Sequence, residues 1–518
     1  MTSDHDPARP GPHVPALSRR GFLGTAALGG AAAMGMAWPA SVPAQPGGGS
    51  GGSGGSGGGT SQGTRVRSNI YALAQTAEGR ATIEAYRTGV KAMMAKPYSD
   101  VTSWRFQAAI HLPYPADARD FAALPVELQL YLDRTNLCQH RNLRFLPWHR
   151  MYVYFFERIV RKASGKADFM LPYWNYTDSS AERALPEAFR NPATEAANAL
   201  FRSARAPGIN SGTALDSGSV STSGAFNETS AAPSGARPGF YQEIESQPHN
   251  IIHVTLGGDG LMSDPATAAL DPIFWLHHCN IDRLWARWNA RGRTNVSDGA
   301  FLGRVHRFWD EDGNLVEMTT REVMDTVTRL DYRYDDATAP EAGTVTLAQA
   351  DSGVEAGAPV SELAASAGPV TLSREGVTIQ TQPVVEAGGP DLFATATPDQ
   401  LSQPVVLRLD DIRFDTPPRT VFEVYLNAPE GAARDRDPAY FVGLFAPFTP
   451  PEGGDTYDEA FDVSGLIDRQ IRAGIYDGGA IDVRIVPRAP LEARGVEAGG
   501  VEAGALPEIT VGRVSLIR

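Results

Sequence analysis

Cysteine is almost absent from this chain. Cys138 and Cys279 are the only two in 518 residues, too few for the disulfide framework that stabilises many exported domains. Stability must come from apolar burial instead, and a hydrophobic fraction of 42% over this length is ample for two domains. Positive charge is scarce as well. Lys and Arg number 46 against 60 Asp and Glu, a formal net charge of -14, which excludes nucleic acid as the natural partner because phosphate binding needs clustered cations. Long apolar runs are also missing. The best candidate, residues 22–38, is rich in glycine and stopped by Pro39, short of the ~20 residues a spanning helix requires. No stable membrane anchor is expected.

That apolar run has another explanation. It follows Ser18-Arg19-Arg20-Gly21-Phe22-Leu23-Gly24 and precedes Val42-Pro43-Ala44, the layout of a twin-arginine signal peptide over residues 1–44 with a small-residue cleavage site. Export to a periplasmic or secreted location is therefore expected, and His5 and His13 would leave with the leader. Residues 45–63 are almost all Gly and Ser, a flexible tether. Beyond it, residues 83–94, 124–136, 148–162 and 273–289 show helix-like apolar spacing with few breakers, so residues 64–336 read as a mainly α domain. After Asp336 the composition shifts. Residues 337–368 form an Ala/Gly-rich linker, and Val-Glu-Ala-Gly recurs at Val354, Val385, Val496 and Val501 too irregularly to be a structural repeat. Short β-branched runs at 405–409, 420–426, 440–445, 481–485 and 509–516 predict a smaller all-β domain, a sandwich or barrel, over residues 369–518.

What the chain does have is histidine in a pattern. His249 and His253 stand four apart and share a face if their segment is helical. The Glu that a zinc protease needs after the first His is replaced by Asn250, which sets hydrolysis aside. Downstream, Asp271-Pro-Ile-Phe-Trp-Leu-His277-His278-Cys279-Asn-Ile-Asp282-Arg-Leu-Trp285 places two histidines on an apolar helix. One such residue is ordinarily a satisfied core histidine, but two side by side next to another pair are hard to bury without a metal. A second group, His111, His140 and His149, lies upstream, with Pro147 placed to start the helix carrying His149. Each of these three, taken singly, could be structural. Together they make two sets of three imidazoles with no obligatory carboxylate or thiolate, a donor set that suits copper better than magnesium, calcium or manganese.

Three motifs carry a family resemblance: Phe145-Leu-Pro-Trp-His149-Arg-Met-Tyr152, Pro248-His249-Asn250-Ile-Ile-His253 and the 271–285 segment. Over residues 64–336 the chain resembles the tyrosinases, type 3 dicopper polyphenol oxidases with a helical-bundle core. The resemblance implies two copper ions, copper A held by His111, His140 and His149 and copper B by His249, His253 and His278, with His277 behind the ligands. It implies O2 as co-substrate and phenols and catechols as substrates, through ortho-hydroxylation of monophenols and oxidation of o-diphenols to o-quinones. By the same resemblance Phe274 is the bulky gate beside the entering ring. Glu245 and Asn250 hold a basic water, useful because a phenol has a pKa of roughly 10; otherwise Glu245 is a surface carboxylate near a helix N-terminus. Cys138-Gln139-His140 is similar to a Cys-x-His motif in which sulfur is joined to imidazole, so a Cys138–His140 thioether is expected.

Other residues are read more plainly. Cys279 is core packing and His306, which matches no ligand position, is structural. Asp282 either accepts from a ligand imidazole or pairs with an arginine, the ion pair being preferred. The C-terminal domain resembles, more weakly, the shielding domains of polyphenol oxidase proenzymes, with aromatic candidates for a plug in Tyr440-Phe-Val-Gly-Leu-Phe-Ala-Pro-Phe448. Two alternatives stay open: a catechol oxidase without monophenolase activity, and a haemocyanin-like oxygen carrier, separated by whether a phenol reaches the metals. Nothing in the chain marks a copper-delivery partner.

Overall fold

The computed structural model describes residues 64–132, 138–234, 237–336, 361–384, 404–429, 436–451, 455–477, 479–488 and 506–518. The leader, the Gly/Ser tether and the Val-Glu-Ala-Gly recurrences lie outside them. Among the described residues no helix is long and apolar enough to cross a membrane.

The first domain is organised by helices whose apolar faces converge. Helix α1 (Ala77–Met94) is capped by Thr76, whose side chain accepts from Gly79 N, and buries Ile83, Tyr86, Val90 and Met93 at helical spacing. It packs on α3 (Phe145–Ser164), and Gly89 permits the close approach, since a Cβ there would lie 2.8 Å from Val160 Cγ1. Between them, α2 (Trp104–Ala109) starts at the Ser103 cap. Helix α4 (Ile251–Gly257), the short α5 (Pro265–Ala268) and α6 (Ile273–Asn289) follow, and α6 is buried along most of its length. Helix α3 begins at Phe145, two residues before Pro147. The proline is tolerated at the third position because the first four helical N–H groups have no partner within the helix, and His149 falls in the second turn instead of the first. The domain's ends meet where β1 (Arg65–Arg67) pairs in parallel with β4 (Tyr332–Tyr334). A hairpin of β2 (Val305–Trp309) and β3 (Leu315–Thr319) packs nearby.

The second domain is an eight-stranded antiparallel sheet, nearly closed into a barrel. Its strands are β5 (Glu362–Ala365), β7 (Val377–Pro383), β8 (Val406–Ile412), β9 (Phe422–Leu426), β10 (Phe441–Phe445), β11 (Tyr457–Asp462), β12 (Ile481–Pro487) and β14 (Arg513–Ile517), in the order β10-β9-β12-β7-β5-β14-β8-β11. A side pair, β6 (Val370–Thr371) and β13 (Thr510–Val511), completes the β structure. The edge strands β10 and β11 approach at Gly443, where a Cβ would lie 2.9 Å from Phe461 Cδ1. Strand β12 alternates buried Ile481, Val483 and Ile485 with half-exposed neighbours, the period-2 signature of one face turned inward. Strand β9 is buried along its whole length. Phe422, Val424 and Leu426 enter the barrel core, while Leu444, Ala446 and Phe448 from the adjoining β10 segment join the core of the helical domain.

One sequence expectation needs correction here. The linker assigned to 337–368 runs too far, because β5 sits between β7 and β14 in the sheet and Ser361 N already bonds Arg518 O at 3.0 Å. Its Glu-Leu-Ala-Ala sequence lacks the β-branched signal that marks strands. The β domain also contains a helix, α7 (Ser464–Arg472), which buries Leu466, Ile467 and Gln470.

Candidate metal centre

Six histidines from separate elements are brought together. His111 follows α2, His140 lies on the segment leading into α3, and His149 is on α3. His249 lies near the end of an irregular turn, Glu245–Asn250, in which Gln247 leaves helical geometry (φ -143, ψ 124), and α4 starts at Ile251 with His253 in its first turn. His278 is on α6. Ring centroids lie 5.3 to 5.8 Å apart within the first set and 4.6 to 5.4 Å within the second. The sets face one another, since His149 and His278 stack at 4.4 Å.

Hydrogen bonds aim the rings. Nδ1 of His111 donates to Pro265 O at 2.7 Å, that of His149 to Phe145 O at 2.8 Å and that of His253 to Met262 O at 2.9 Å. A carbonyl only accepts, so the proton is held on Nδ1 and the Nε2 lone pair is left facing inward, the arrangement seen around metal-ligating imidazoles. His249 Nδ1 is held by Asn250 Oδ1 at 2.9 Å. Burial pushes all six rings below the usual histidine range, joined by neighbouring imidazoles at every one but His111, which falls to about 4 while His249 falls to about 3. They are neutral donors at pH 7. His111 Nε2, His249 Nε2 and His278 Nδ1 are buried with no hydrogen-bond partner among the described residues, a costly state that a cation among them relieves. In each group, His111 with Cys138, His140 and His149, and His249 with His253, His277 and His278, the potential ligand atoms lie within 4.8 Å of one another.

His277 Nδ1 meets the Tyr176 hydroxyl at 2.8 Å, and its Nε2 also lacks a partner among the described residues. Cys138 Sγ is 3.4 Å from Nδ1 and 3.8 Å from Nε2 of His140. The same sulfur lies 3.2 Å from Nε2 of His149, so it sits between two rings of the first set.

Arg141, Glu245, Asn250, Phe448, Thr449 and Tyr457 line a small pocket beside the rings. Glu245 is buried and both its oxygens accept from Arg141 N, at 2.7 and 2.8 Å. Burial pushes its carboxyl up to about 8, opposed by the bond from Arg141. Three pocket residues come from the β domain. The Phe448 ring stacks on His253 at 4.3 Å, and Thr449 Oγ1 lies 3.3 Å from His140 Nδ1.

Phe274 is not at this mouth. It is fully buried in the first turn of α6 with its ring 4.3 Å from His278 and 5.1 Å from His111, so it packs beneath the histidines and cannot bound an entering ring. Asp282 contacts no imidazole in its hydrogen bonds. One helical turn beyond His278 it reaches the base of the domain, pairing with Arg150 at 2.5 Å and Arg67 at 3.3 Å and accepting from the Tyr332 and Tyr334 hydroxyls at 2.6 Å each. His306 bonds Thr320 Oγ1 at 2.8 Å, and Cys279 is wholly buried. The carbonyls of Pro265, Met262 and Phe145 were invisible in the sequence because a main-chain acceptor has no residue-type signature.

Residues 101–236 and 209–291 match the common central domain of tyrosinase, residues 295–344 the polyphenol oxidase middle domain, and residues 359–518 a domain of unknown function. The chain is 31% identical over 503 residues to the tyrosinase HcTyr1 of Hahella sp. (strain CCB-MM4), covering 87% of this chain and 99% of that one. It is 26% identical over 452 residues to the latent form of polyphenol oxidase from Prunus armeniaca, covering 78% and 70%. Its fold is similar to that of latent apple tyrosinase (TM-score 0.58, 22% identity, 88% of this chain and 98% of that one) and of latent aurone synthase (TM-score 0.58, 20% identity, 88% and 90%). With two histidine clusters of this donor chemistry and a relative matched over nearly its whole length, the chain belongs to the tyrosinase and polyphenol oxidase family of copper oxidoreductases.

Proposed function

We propose that this protein is a tyrosinase, acting on both monophenols and o-diphenols, with its β domain as a lid. His111, His140 and His149 hold one copper, and His249, His253 and His278 the other. Such a pair supplies two-electron reduction of O2. The observation that carries the monophenolase reading is the buried Glu245 carboxylate in one pocket with Asn250. A phenol must lose its proton to bind as phenolate, and an acceptor raised to about 8 stands far closer to a phenol's ~10 than an exposed carboxylate does. Asn250 keeps His249 in the Nδ1–H tautomer. Glu245→Gln should depress phenol hydroxylation at least tenfold more than catechol oxidation, at the lower end of the ~10²–10⁴ that a positioned base contributes. Equal loss on both substrates would remove Glu245 from that role.

Phe448 covers the face of His253 on which a substrate ring would lie, which supports the lid. The direct test is oxygen consumption and quinone absorbance on the copper-loaded chain with a monophenol and its catechol, before and after limited proteolysis. Turnover of both, rising after cleavage, is the expected result. Catechol turnover alone makes it a catechol oxidase, and reversible O2 binding with neither substrate oxidised makes it a carrier.

The Cys138–His140 thioether is part of the same proposal. Joining Sγ to Cε1 would remove one hydrogen from each as two protons and two electrons, O2 being the oxidant and going to hydrogen peroxide, so the intact mass should fall by two hydrogens. Export by the twin-arginine route is also proposed; replacing Arg19 and Arg20 with Lys should leave the precursor inside the cell.

A further inference from the structure

The loop between α4 and α6 supports one histidine of each set from behind. Met262 O holds His253, and three residues later Pro265 O holds His111. The loop is packed tightly at its start, where a Cβ on Gly260 would lie 2.0 Å from Ala204 O and one on Gly257 2.2 Å from Ser263 N. Leu261 N bonds Ala204 O at 3.3 Å, and Arg202 and a buried Arg205–Asp271 pair hold the loop's far end. A further hold, on the stretch that carries Met262, comes from the other domain. Arg419, just before β9, donates from Nη1 to Asp259 O at 2.7 Å and from Nη2 to Asp264 Oδ2 at 3.1 Å. The guanidinium therefore spans the loop from one side of Met262 to the other, a fork that a lysine cannot reproduce. Asp264 uses its second oxygen to cap α5 through Ala266 N at 3.0 Å, and the next residue is Pro265. Arg419 also adopts φ 52, a left-handed conformation that a non-glycine residue takes up only at a cost, and one that its surroundings must over-determine.

We infer that Arg419 is a positioning residue through which the β domain sets the orientation of His111 and His253, one ligand of each copper. Lid and metal centre are thereby coupled, so that release of the domain loosens both metals as well as uncovering them. This rests on the dicopper reading above. Arg436 and Arg488 both pair with Asp216 across the same boundary, Arg436 at 2.6 Å, on a loop that supplies no histidine-holding carbonyl, and Arg436 serves as the control.

The test is the rate at which a chelator strips copper from the full-length loaded protein, followed with the Cu(II) EPR signal that appears when a coupled pair becomes half-occupied. Arg419→Ala and Asp264→Asn, which keeps a cap acceptor, should each lose copper about tenfold faster than wild type, the lower end of the effect of removing an outer partner of a metal ligand. The double variant should be no faster than the faster single one, and Arg419→Lys should fall between. Arg436→Ala should stay within about twofold of wild type, since the Asp216 loop it grips holds no ligand imidazole. Copper loss from Arg419→Ala at the wild-type rate overturns the inference. So does equal acceleration in Arg436→Ala, which would mean that any loosening of the domain suffices. A wild-type chain that holds no coupled pair removes the dicopper reading itself, and this inference with it.

Discussion

The two histidine sets are built by different means. His253 and His278 come from two helices close in sequence and His249 from the turn leading into the first, and Nδ1 of His249 and of His253 is held by Asn250 and Met262 O. His111, His140 and His149 come from three segments, and only the last sits on a long helix. His140 in particular is on irregular chain, and its Nδ1 meets both Cys138 Sγ and Thr449 Oγ1 of the other domain. Helical ligands inherit their positions from a cooperative hydrogen-bonded scaffold. A loop ligand needs a partner for each degree of freedom. The second set should therefore be the more autonomous, and the first the more dependent on the proposed Cys138–His140 cross-link and on contact with the β domain.

The largest effect expected is from His278→Ala, which should abolish the coupled copper pair and all oxidase activity while the first set still takes up one copper; retention of a coupled pair, read by EPR silence with full copper content, would assign that ligand to His277. Cys138→Ser sharpens the contrast. It should release copper from the first set about tenfold faster and leave the second unchanged, and a uniform loss from both would erase the distinction. Phe448→Ala acts in the other direction. It should raise catechol turnover of the uncleaved protein roughly threefold to tenfold, the equivalent of the ~0.5–1.5 kcal/mol in one ring stack, with copper content unchanged.

The smallest effect is a pH dependence of the cover. Glu459 on β11 is buried and accepts from the Ser246 hydroxyl at 2.7 Å across the domain boundary, and burial pushes its carboxyl up to about 7. The closed state thus binds this proton more tightly than the open one, where an exposed glutamate titrates near ~4.3. Closure is most favoured below that lower value, weakens as pH rises towards about 7, and is level above it. Limited proteolysis should accelerate accordingly between pH 5 and pH 7, and Glu459→Gln should flatten the profile. A slope of opposite sign would show that another group governs the contact.

The structure sorts the sequence expectations by the kind of signal behind each. Helices α3 and α6 were legible because apolar periodicity and the His-bearing motifs coincide, and the ends of α6 agree with the expected 273–289. Strands β8, β9, β10 and β12 were legible from β-branched runs, whereas β5, with two alanines, and β7, with alternating Thr and Gln, were not. The preferred reading of Asp282, an ion pair with an arginine, agrees with its bonds to Arg150 and Arg67. Phe274, one turn before His278, is instead buried among the histidines; sequence spacing does not say which side of a helix faces the pocket.

By itself the sequence determined the metal chemistry. Six clustered imidazoles unaccompanied by carboxylates specify a neutral nitrogen donor set wherever they meet, because ligand type belongs to the side chain. It also determined the division into a helical and a β domain, since period 3.6 and period 2 are local properties of a chain. Only the tertiary structure decided that Phe448 lies on His253, that Glu245 is buried against Arg141 N, and that Arg419 grips the loop behind two ligands. Those contacts join residues far apart in the chain, and several run through main-chain carbonyls and amides that every residue type shares.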